Sequence, residues 1–232
     1  MYKRQPFKNW FPWLFEWFMP EGYHPSLTLE KGTRYTIFEM DPAAGSGSQR
    51  QTSDFGLRAS YRFAVIICYE DTIPYVGRNF ALDEQGRKRI DWLVNISNDG
   101  WFVQFPEDQG RVVPSSELPQ HAAICVFRAV ENRLAVIRSV NTGISCLIES
   151  TGRIRDGYLA ADDGLPQEAM KRTAMTGWFL DRLPIDGRVT FYSRHGEWFA
   201  NGCAAVFVGM VVWPLGAGWR HRRKMRRAAK AA

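Results

Sequence analysis

Four cysteines, Cys68, Cys125, Cys146 and Cys203, are the side chains best suited to covalent chemistry. Three of them lie inside apolar runs, where a free cysteine behaves as a small buried hydrophobe. No spacing among the four matches a zinc site and no Cys-x-x-Cys occurs, so no metal or other cofactor is expected. Cys68 differs because it ends its run, Phe63-Ala-Val-Ile-Ile-Cys68, and is followed by Tyr69 and Glu70. A thiolate attacks acyl carbon readily, but an unassisted cysteine is ionised only to about a few per cent near neutrality. Catalysis by Cys68 therefore needs a base, a positive charge and an oxyanion hole around it. Glu70 is placed to orient neighbouring groups by hydrogen bonding. Taken alone, a cysteine after a strand is more often structural than catalytic.

Other polar residues allow a plain reading beside a functional one. His121 is expected to be a hydrogen-bonded structural histidine rather than a general base. Arg128, Glu131 and Arg133 are spaced to form ion pairs along one helix. Asn98 and Asp99 are expected to shape a loop through side-chain to backbone hydrogen bonds. Trp101 and Phe102 either line a pocket for an acyl chain or close the core.

The elements that must position these groups follow from periodicity. Phe63–Cys68 is short, continuous, apolar and β-branched, which predicts a strand buried on both faces, with Cys68 at its carboxyl end. Trp92–Ile96 predicts a second. A helix is expected over Glu117–Arg133, capped by Ser115 or Ser116. Ala135–Val140 and Ile144–Ile148 predict strands joined by the turn Asn141-Thr142-Gly143, with Ser150-Thr151-Gly152 as the next turn. Residues Asp41–Asp54 are rich in Gly, Ser and Ala and read as a loop. Strands interleaved with helices indicate an α/β layered fold, whose ligand sites lie at strand carboxyl ends. No internal repeat is present.

The formal net charge of +6 is concentrated at one end. Arg220, Arg222, Arg223, Lys224, Arg226, Arg227 and Lys230 supply seven positive charges with no acid among them, so the residues before Arg220 sum to one negative charge. A nucleic-acid partner is not expected, since its binder would spread basic residues over a folded face. Immediately before the tail, the 22 residues Trp198–Trp219 carry no charge. As a helix they would span about 33 Å, enough for a hydrocarbon core of about 30 Å. A tryptophan at each end and the basic cluster that follows predict a membrane helix with a cytoplasmic C-terminus. The aromatic stretch Trp10–Phe18 either packs into a core or lies at a bilayer surface.

Several segments together resemble the nitrilase (carbon-nitrogen hydrolase) superfamily, and specifically its apolipoprotein N-acyltransferase branch. Val65-Ile-Ile-Cys68-Tyr69-Glu70 resembles the nucleophile strand, and Asn98-Asp99-Gly100-Trp101-Phe102 the Asn-Asp-x-Trp-Phe segment. Gln120-His121 followed by Arg128-Ala-Val-Glu131-Asn132-Arg133 is similar to the Gln-His and Arg-Ala-x-Glu-x-x-Arg helix. Arg138-Ser-Val-Asn141-Thr142-Gly143, Gly152-Arg153-Ile154 and Thr190–Trp198 follow in the same order, so the resemblance runs from Phe63 onward.

The resemblance implies a partial nitrilase-like α-β-β-α sandwich over residues 1–196, one C-terminal transmembrane helix over 197–219, and a basic cytoplasmic tail over 220–232. It implies an enzyme of the bacterial inner (plasma) membrane with its catalytic domain on the periplasmic face. Its partners would be a phospholipid acyl donor, a lipoprotein acceptor and the membrane itself. In that family a Glu-Lys-Cys triad moves a fatty acyl chain through a cysteine thioester onto the N-terminal amine of an apolipoprotein. Residue by residue, Cys68 carries over as nucleophile, with Glu70 in the supporting position. The half of the fold that holds the glutamate base has no counterpart here. Pro6–Pro12 resembles the family's Pro-Phe-Gly-Glu-Tyr-x-Pro segment, with Asn9 in the place of its glutamate. On that alignment the lysine position falls at Met1, and Lys3 and Lys8 are off register. A truncated form of the enzyme, inactive by itself, is therefore expected. The alternatives are a membrane-anchored amidase or nitrilase acting on a small substrate, and a non-catalytic remnant serving as an anchored binding module.

Overall fold

The computed structural model describes residues 34–41, 60–106, 112–157, 159–161 and 165–231, with side chains of 159–161 and 215–231 left aside. The aromatic stretch Trp10–Phe18, the segment Pro6–Pro12 and all but Asp41 of the expected loop lie outside those residues. The chain divides into two compact units between Arg194 and His195.

The first unit is built on a six-stranded mixed sheet in the order β1-β2-β3-β6-β7-β8. Its centre is three parallel strands, β2 (Tyr61–Ile67), β3 (Trp92–Asn98) and β6 (Ala135–Asn141). β1 (Phe38–Met40), β7 (Cys146–Ile148) and β8 (Ile154–Arg155) add antiparallel edges. Two short ribbons, β4 (Val103–Gln104) with β5 (Val113–Pro114) and β9 (Leu159–Ala161) with β10 (Trp178–Leu180), lie outside this sheet.

Parallel neighbours need crossovers, and helices make them. α1 (Pro74–Ala81) follows β2 and begins with Pro74, whose missing N–H costs nothing in a first turn. α2 (Glu117–Asn132) connects β3 to β6. Of the two expected caps, Ser115 is the one whose hydroxyl accepts from the Glu117 amide, at 3.3 Å. Arg133 closes α2 in a left-handed conformation, φ 51°, with its N–H on the Ala129 and Val130 carbonyls. The Lys88 ammonium also caps this end, donating to the carbonyls of Asn132 (2.6 Å) and Arg133 (2.8 Å). Burial there pulls its pKa down to about 8.

One face of the central strands is closed by these helices. Ala64, Ile66, Leu93 and Val136 pack with Val76 and Phe80 of α1 and Ala122, Cys125 and Ala129 of α2. Each large side chain buried here stabilises the fold by about 1.5–3 kcal/mol. The other face is apolar and more open: Val65, Val94 and Ile137 are half-buried, and Ile67 and Ile96 are exposed. The expectation of strands buried on both faces therefore holds for one face only.

The expected hairpin is present as β6 and β7, though β7 begins two residues later than the apolar pattern suggests. Ser145 explains the delay, because its hydroxyl accepts from the Val140 amide (3.0 Å) and donates to the Val140 carbonyl (3.1 Å). A side chain thus takes the place of a ladder partner. Gly152 turns the chain at φ 90°, where a Cβ would meet Val130 at 2.9 Å.

The second unit contains α4 (Trp198–Ala231), which follows the short helix α3 (Phe191–His195). Its described side chains, Trp198–Pro214, are all exposed, including Phe199, Val206, Phe207, Met210 and Trp213. Among the described residues, no helix is long and apolar enough to cross a membrane. The predicted span Trp198–Trp219 runs past the last described side chain of this helix.

Candidate active site

Cys68 stands where β2 ends. It opens a 3₁₀ turn, Cys68–Thr72, and is itself left-handed at φ 51°. A non-glycine residue held there costs on the order of 1–3 kcal/mol and persists only where its surroundings over-determine it. Several contacts hold this turn. The Glu70 carboxylate accepts from the Ile67 amide at 2.8 Å, closing the turn from its own side. The Cys68 carbonyl accepts from the Asn95 amide group at 3.3 Å. The Asp71 carbonyl accepts from Arg128 at 2.9 Å.

Exposure separates Cys68 from the other cysteines of this unit. Cys125 and Cys146 are fully buried, whereas Cys68 is half-exposed. Burial pushes the Cys125 thiol well up and the Cys146 thiol up to about 11. Both are fixed as neutral thiols, which agrees with their expected role as small hydrophobes.

Beneath the turn lies a cluster of buried ions that sequence spacing did not reveal. The Arg138 guanidinium, fully buried on β6, donates to Asp71 Oδ2 (3.3 Å) and Asp99 Oδ2 (2.7 Å). It also bonds Asn95 Oδ1. His121 on α2 sits between the same two carboxylates, with Nδ1 3.1 Å from Asp99 and Nε2 3.2 Å from Asp71. Burial alone would lower the His121 pKa, but the hydrogen bonds that its ring donates to Asp71 and Asp99 outweigh it and raise the value to about 9. Burial likewise works against the Asp99 carboxylate, and its bonds to His121, Ser97 and Arg138 prevail, holding it below the ordinary range. Two basic side chains thus face two carboxyl groups. The Cys125 thiol donates to Asp71 at 3.1 Å.

His121 is the hydrogen-bonded, buried histidine that was expected. Its ring stacks on Tyr69 at 4.9 Å, and Phe102 meets both rings edge-on. The Tyr69 hydroxyl donates to Glu117 at 2.9 Å. Burial and that hydrogen bond push its pKa up to about 12. Phe102 thus packs against the aromatic group behind the turn, while Trp101 is 80% exposed and does not close the core. Asn98 does shape its loop, accepting from the Gly100 amide at 3.1 Å. Asp99 departs from that expectation, because its carboxylate is bonded to the side chains of Ser97, His121 and Arg138 in the ion cluster. Arg128 and Glu131 form the expected pair at 2.9 Å.

The carboxyl end of β6 carries a second strained residue. Thr142 is left-handed at φ 54°, and its carbonyl accepts from the Ala174 amide at 2.7 Å. The next residue has to be glycine, since a Cβ on Gly143 would overlap the Asp99 carboxylate. A cavity of about 450 Å³ opens beside this loop, lined by residues including Ser139, Asn141, Thr142, Trp178 and Phe179. Cys68 lies two strands away, at the same end of the sheet, and is not part of its lining.

The lysines with described side chains are engaged elsewhere. Lys88 caps α2 at the amino end of β6, and Lys171 pairs with Glu168 at 2.8 Å. The triad partners implied by resemblance are thus not brought to Cys68 among the described residues. Asp71, Asn95 and Arg138 are brought there, and only their position in the fold marks them.

No protein-family model matches the chain. Curated relatives do. It is 34% identical over 150 residues to an apolipoprotein N-acyltransferase of Geobacter metallireducens, covering 62% of this chain and 22% of that protein. It is 30% identical over 164 residues to apolipoprotein N-acyltransferase 1 of Treponema pallidum, covering 68% and 23%. For the Thermotoga maritima apolipoprotein N-acyltransferase the values are 32% over 150 residues, covering 65% and 24%. The chain spans about a quarter of the length of these relatives. Among solved structures, an amidase from Nesterenkonia sp. aligns with a TM-score of 0.30 and 14% identity over 42% of this chain and 34% of that one, a likeness too slight to bear on fold or function.

Proposed function

We propose that this chain, which belongs to the apolipoprotein N-acyltransferase family, carries the nucleophile of a lipoprotein N-acylating enzyme. In this reading the Cys68 thiolate attacks the ester carbonyl of a phospholipid. The lysophospholipid leaves as an alkoxide and takes up a proton, and the acyl chain stays on sulfur as a thioester. The free amine of an apolipoprotein N-terminus then attacks the thioester carbonyl, loses a proton, and releases the thiolate.

The observation that carries this reading is the contrast among the cysteines of the sheet unit. Cys68 alone is accessible there, and it is held in a strained turn at the carboxyl end of a central parallel strand. That is where α/β sheets present reacting groups, and strain of this kind gathers at functional sites. Glu70 supports the turn through its bond to the Ile67 amide. The proposal assigns the base and the oxyanion-stabilising lysine to the part of the enzyme that these residues do not represent.

The reading places the enzyme in the bacterial inner membrane, anchored by α4. The uncharged segment Trp198–Trp219 that opens α4, with its described side chains exposed, is suited to lipid rather than water. The basic residues after Trp219 would stay cytoplasmic and leave the sheet unit on the outer face. Both substrates are lipids, so an anchored site meets them where they reside.

The test uses the chain in the membranes of the cell that makes it, supplied with phospholipid carrying an alkyne-tagged acyl chain. The expected result is a hydroxylamine-labile adduct on the Cys68 peptide, absent from Cys68→Ala. The chain purified alone in detergent should form none. A tag that persists in Cys68→Ala, or no tag in membranes where lipoprotein acylation proceeds, would overturn the reading. Transfer of the tag to small amines but never to lipoprotein would favour the amidase alternative.

A further inference from the structure

Resting on Cys68 as acyl acceptor, we propose that Asn95, held in place by Arg138, is a positioning residue that fixes the turn presenting the nucleophile. Asn95 is fully buried in the middle of β3, between apolar neighbours. A buried amide is tolerated only when hydrogen-bonded, and this one is bonded at both ends. Its nitrogen donates to the Cys68 carbonyl at 3.3 Å, and its oxygen accepts from Arg138. Arg138 continues to Asp71, which belongs to the same 3₁₀ turn as Cys68. The turn is thereby gripped at its first residue through Asn95 and at its fourth through Arg138.

The energetics explain why such a device has a role beyond stability. A buried ion cluster is a poor means of stabilising a fold, because desolvating the charges offsets most of their attraction. Apolar residues of the same volume would fill this space as well. What the cluster provides is direction, since each hydrogen bond fixes an angle that apolar packing leaves free. The group in need of that constraint is Cys68, whose left-handed backbone would otherwise relax.

The experiment compares the unaltered chain with Asn95→Asp, Asn95→Ala and a core control, Ile148→Ala, all as full chains in membranes. Asn95→Asp keeps an acceptor for Arg138 and removes the donor facing Cys68. The readouts are the rate of Cys68 alkylation by iodoacetamide, resolved by peptide mass and normalised to alkylation of the same peptide in the urea-unfolded chain, and the urea midpoint. Both Asn95 variants should slow Cys68 alkylation about fivefold or more, the factor expected for one net hydrogen bond. Ile148→Ala should lower the midpoint while leaving the Cys68 rate unchanged. If Asn95→Asp does not fold, Asn95→Ser, neutral and too short to reach the Cys68 carbonyl, gives the same comparison. Unchanged Cys68 alkylation in folded Asn95 variants would overturn the positioning role whatever the acyl tag shows. A slowed alkylation together with no acyl tag on the unaltered chain would sink the acyl-acceptor reading and leave the positioning role standing.

Discussion

The two faces of the central sheet are made by the same three strands and have opposite characters. On the helix-covered face, Ile66, Leu93 and Val136 pack against α1 and α2, and Asn95 and Arg138 continue the same rows toward the carboxyl end. That face therefore changes from apolar core to ion cluster within two residues along β3 and β6. On the other face, Val65, Val94, Ile96 and Ile137 are apolar and the rows of β3 and β6 end in uncharged Asn98, Ser139 and Asn141, while Ile67 and Ile96 are 46% and 43% exposed. Charges occur only where helices supply His121, Arg128 and a closed, low-dielectric volume. Apolar side chains are left open where no described element lies over them. The difference teaches that in this fold the polar residues answer to the site and the apolar ones to a layer. A parallel sheet is normally covered on both faces, so the open side is the surface on which further structure would be stabilised.

The comparison can be broken most sharply at Arg138. Arg138→Met should destabilise the sheet unit by about 3–5 kcal/mol, because Asp71 and Asp99 lose their fixed cation while remaining buried. Urea unfolding followed by tryptophan fluorescence measures this, and a change below 1 kcal/mol would mean the cluster is not load-sharing as its geometry implies. Next comes Ile66→Ala on the closed face, expected to cost about 2–5 kcal/mol through an unfilled cavity. The same truncation on the open face, Ile96→Ala, should cost roughly 1 kcal/mol or less, since water already reaches that side chain. Equal effects at the two positions would show that the open face is covered in solution.

A pH titration sharpens the contrast further. The folded pKa of His121 is raised to about 9 from an ordinary 6.5. Its contribution is therefore complete below about 6.5 and is lost as pH rises toward 9. Asp99 is depressed, so its share is present above the ordinary carboxylate range and is lost on acidification. The urea midpoint should fall between pH 6.5 and 9, and His121→Gln, less stable throughout, should flatten that slope. A slope that survives in His121→Gln would assign it to another group, and that group is not Lys88, whose pKa, lowered to about 8, makes stability rise rather than fall with pH above that value.

Much of the frame was legible in the residues. Period and β-branching placed the three central strands, and a serine before an apolar periodic run placed α2 to within a residue of its observed end. Asn141-Thr142-Gly143 marked the hairpin, although the side-chain bonds of Ser145, which shorten β7, have no local pattern. Cys68 stood out because it ends an apolar run and is followed by polar groups. Asp71 was passed over, since an acid three residues from a cysteine signals nothing until the chain folds a buried arginine against it. Arg138 was noted only as part of a matching segment, and nothing in a strand reading Ala-Val-Ile-Arg-Ser-Val shows that its charge points into the core.

What the sequence determined by itself is local or historical. Periodicity and turn chemistry depend on neighbours a few residues apart, and family membership depends on the order of short segments. The ion cluster joins Asp71, Asn95, Asp99, His121 and Arg138, whose separations along the chain reach 67 residues. Burial, the raised His121 pKa and the grip on the Cys68 turn arise from distances in space between elements. Electrostatic and hydrogen-bond energies act over a few ångströms, so only the folded sheet with its helices could decide them.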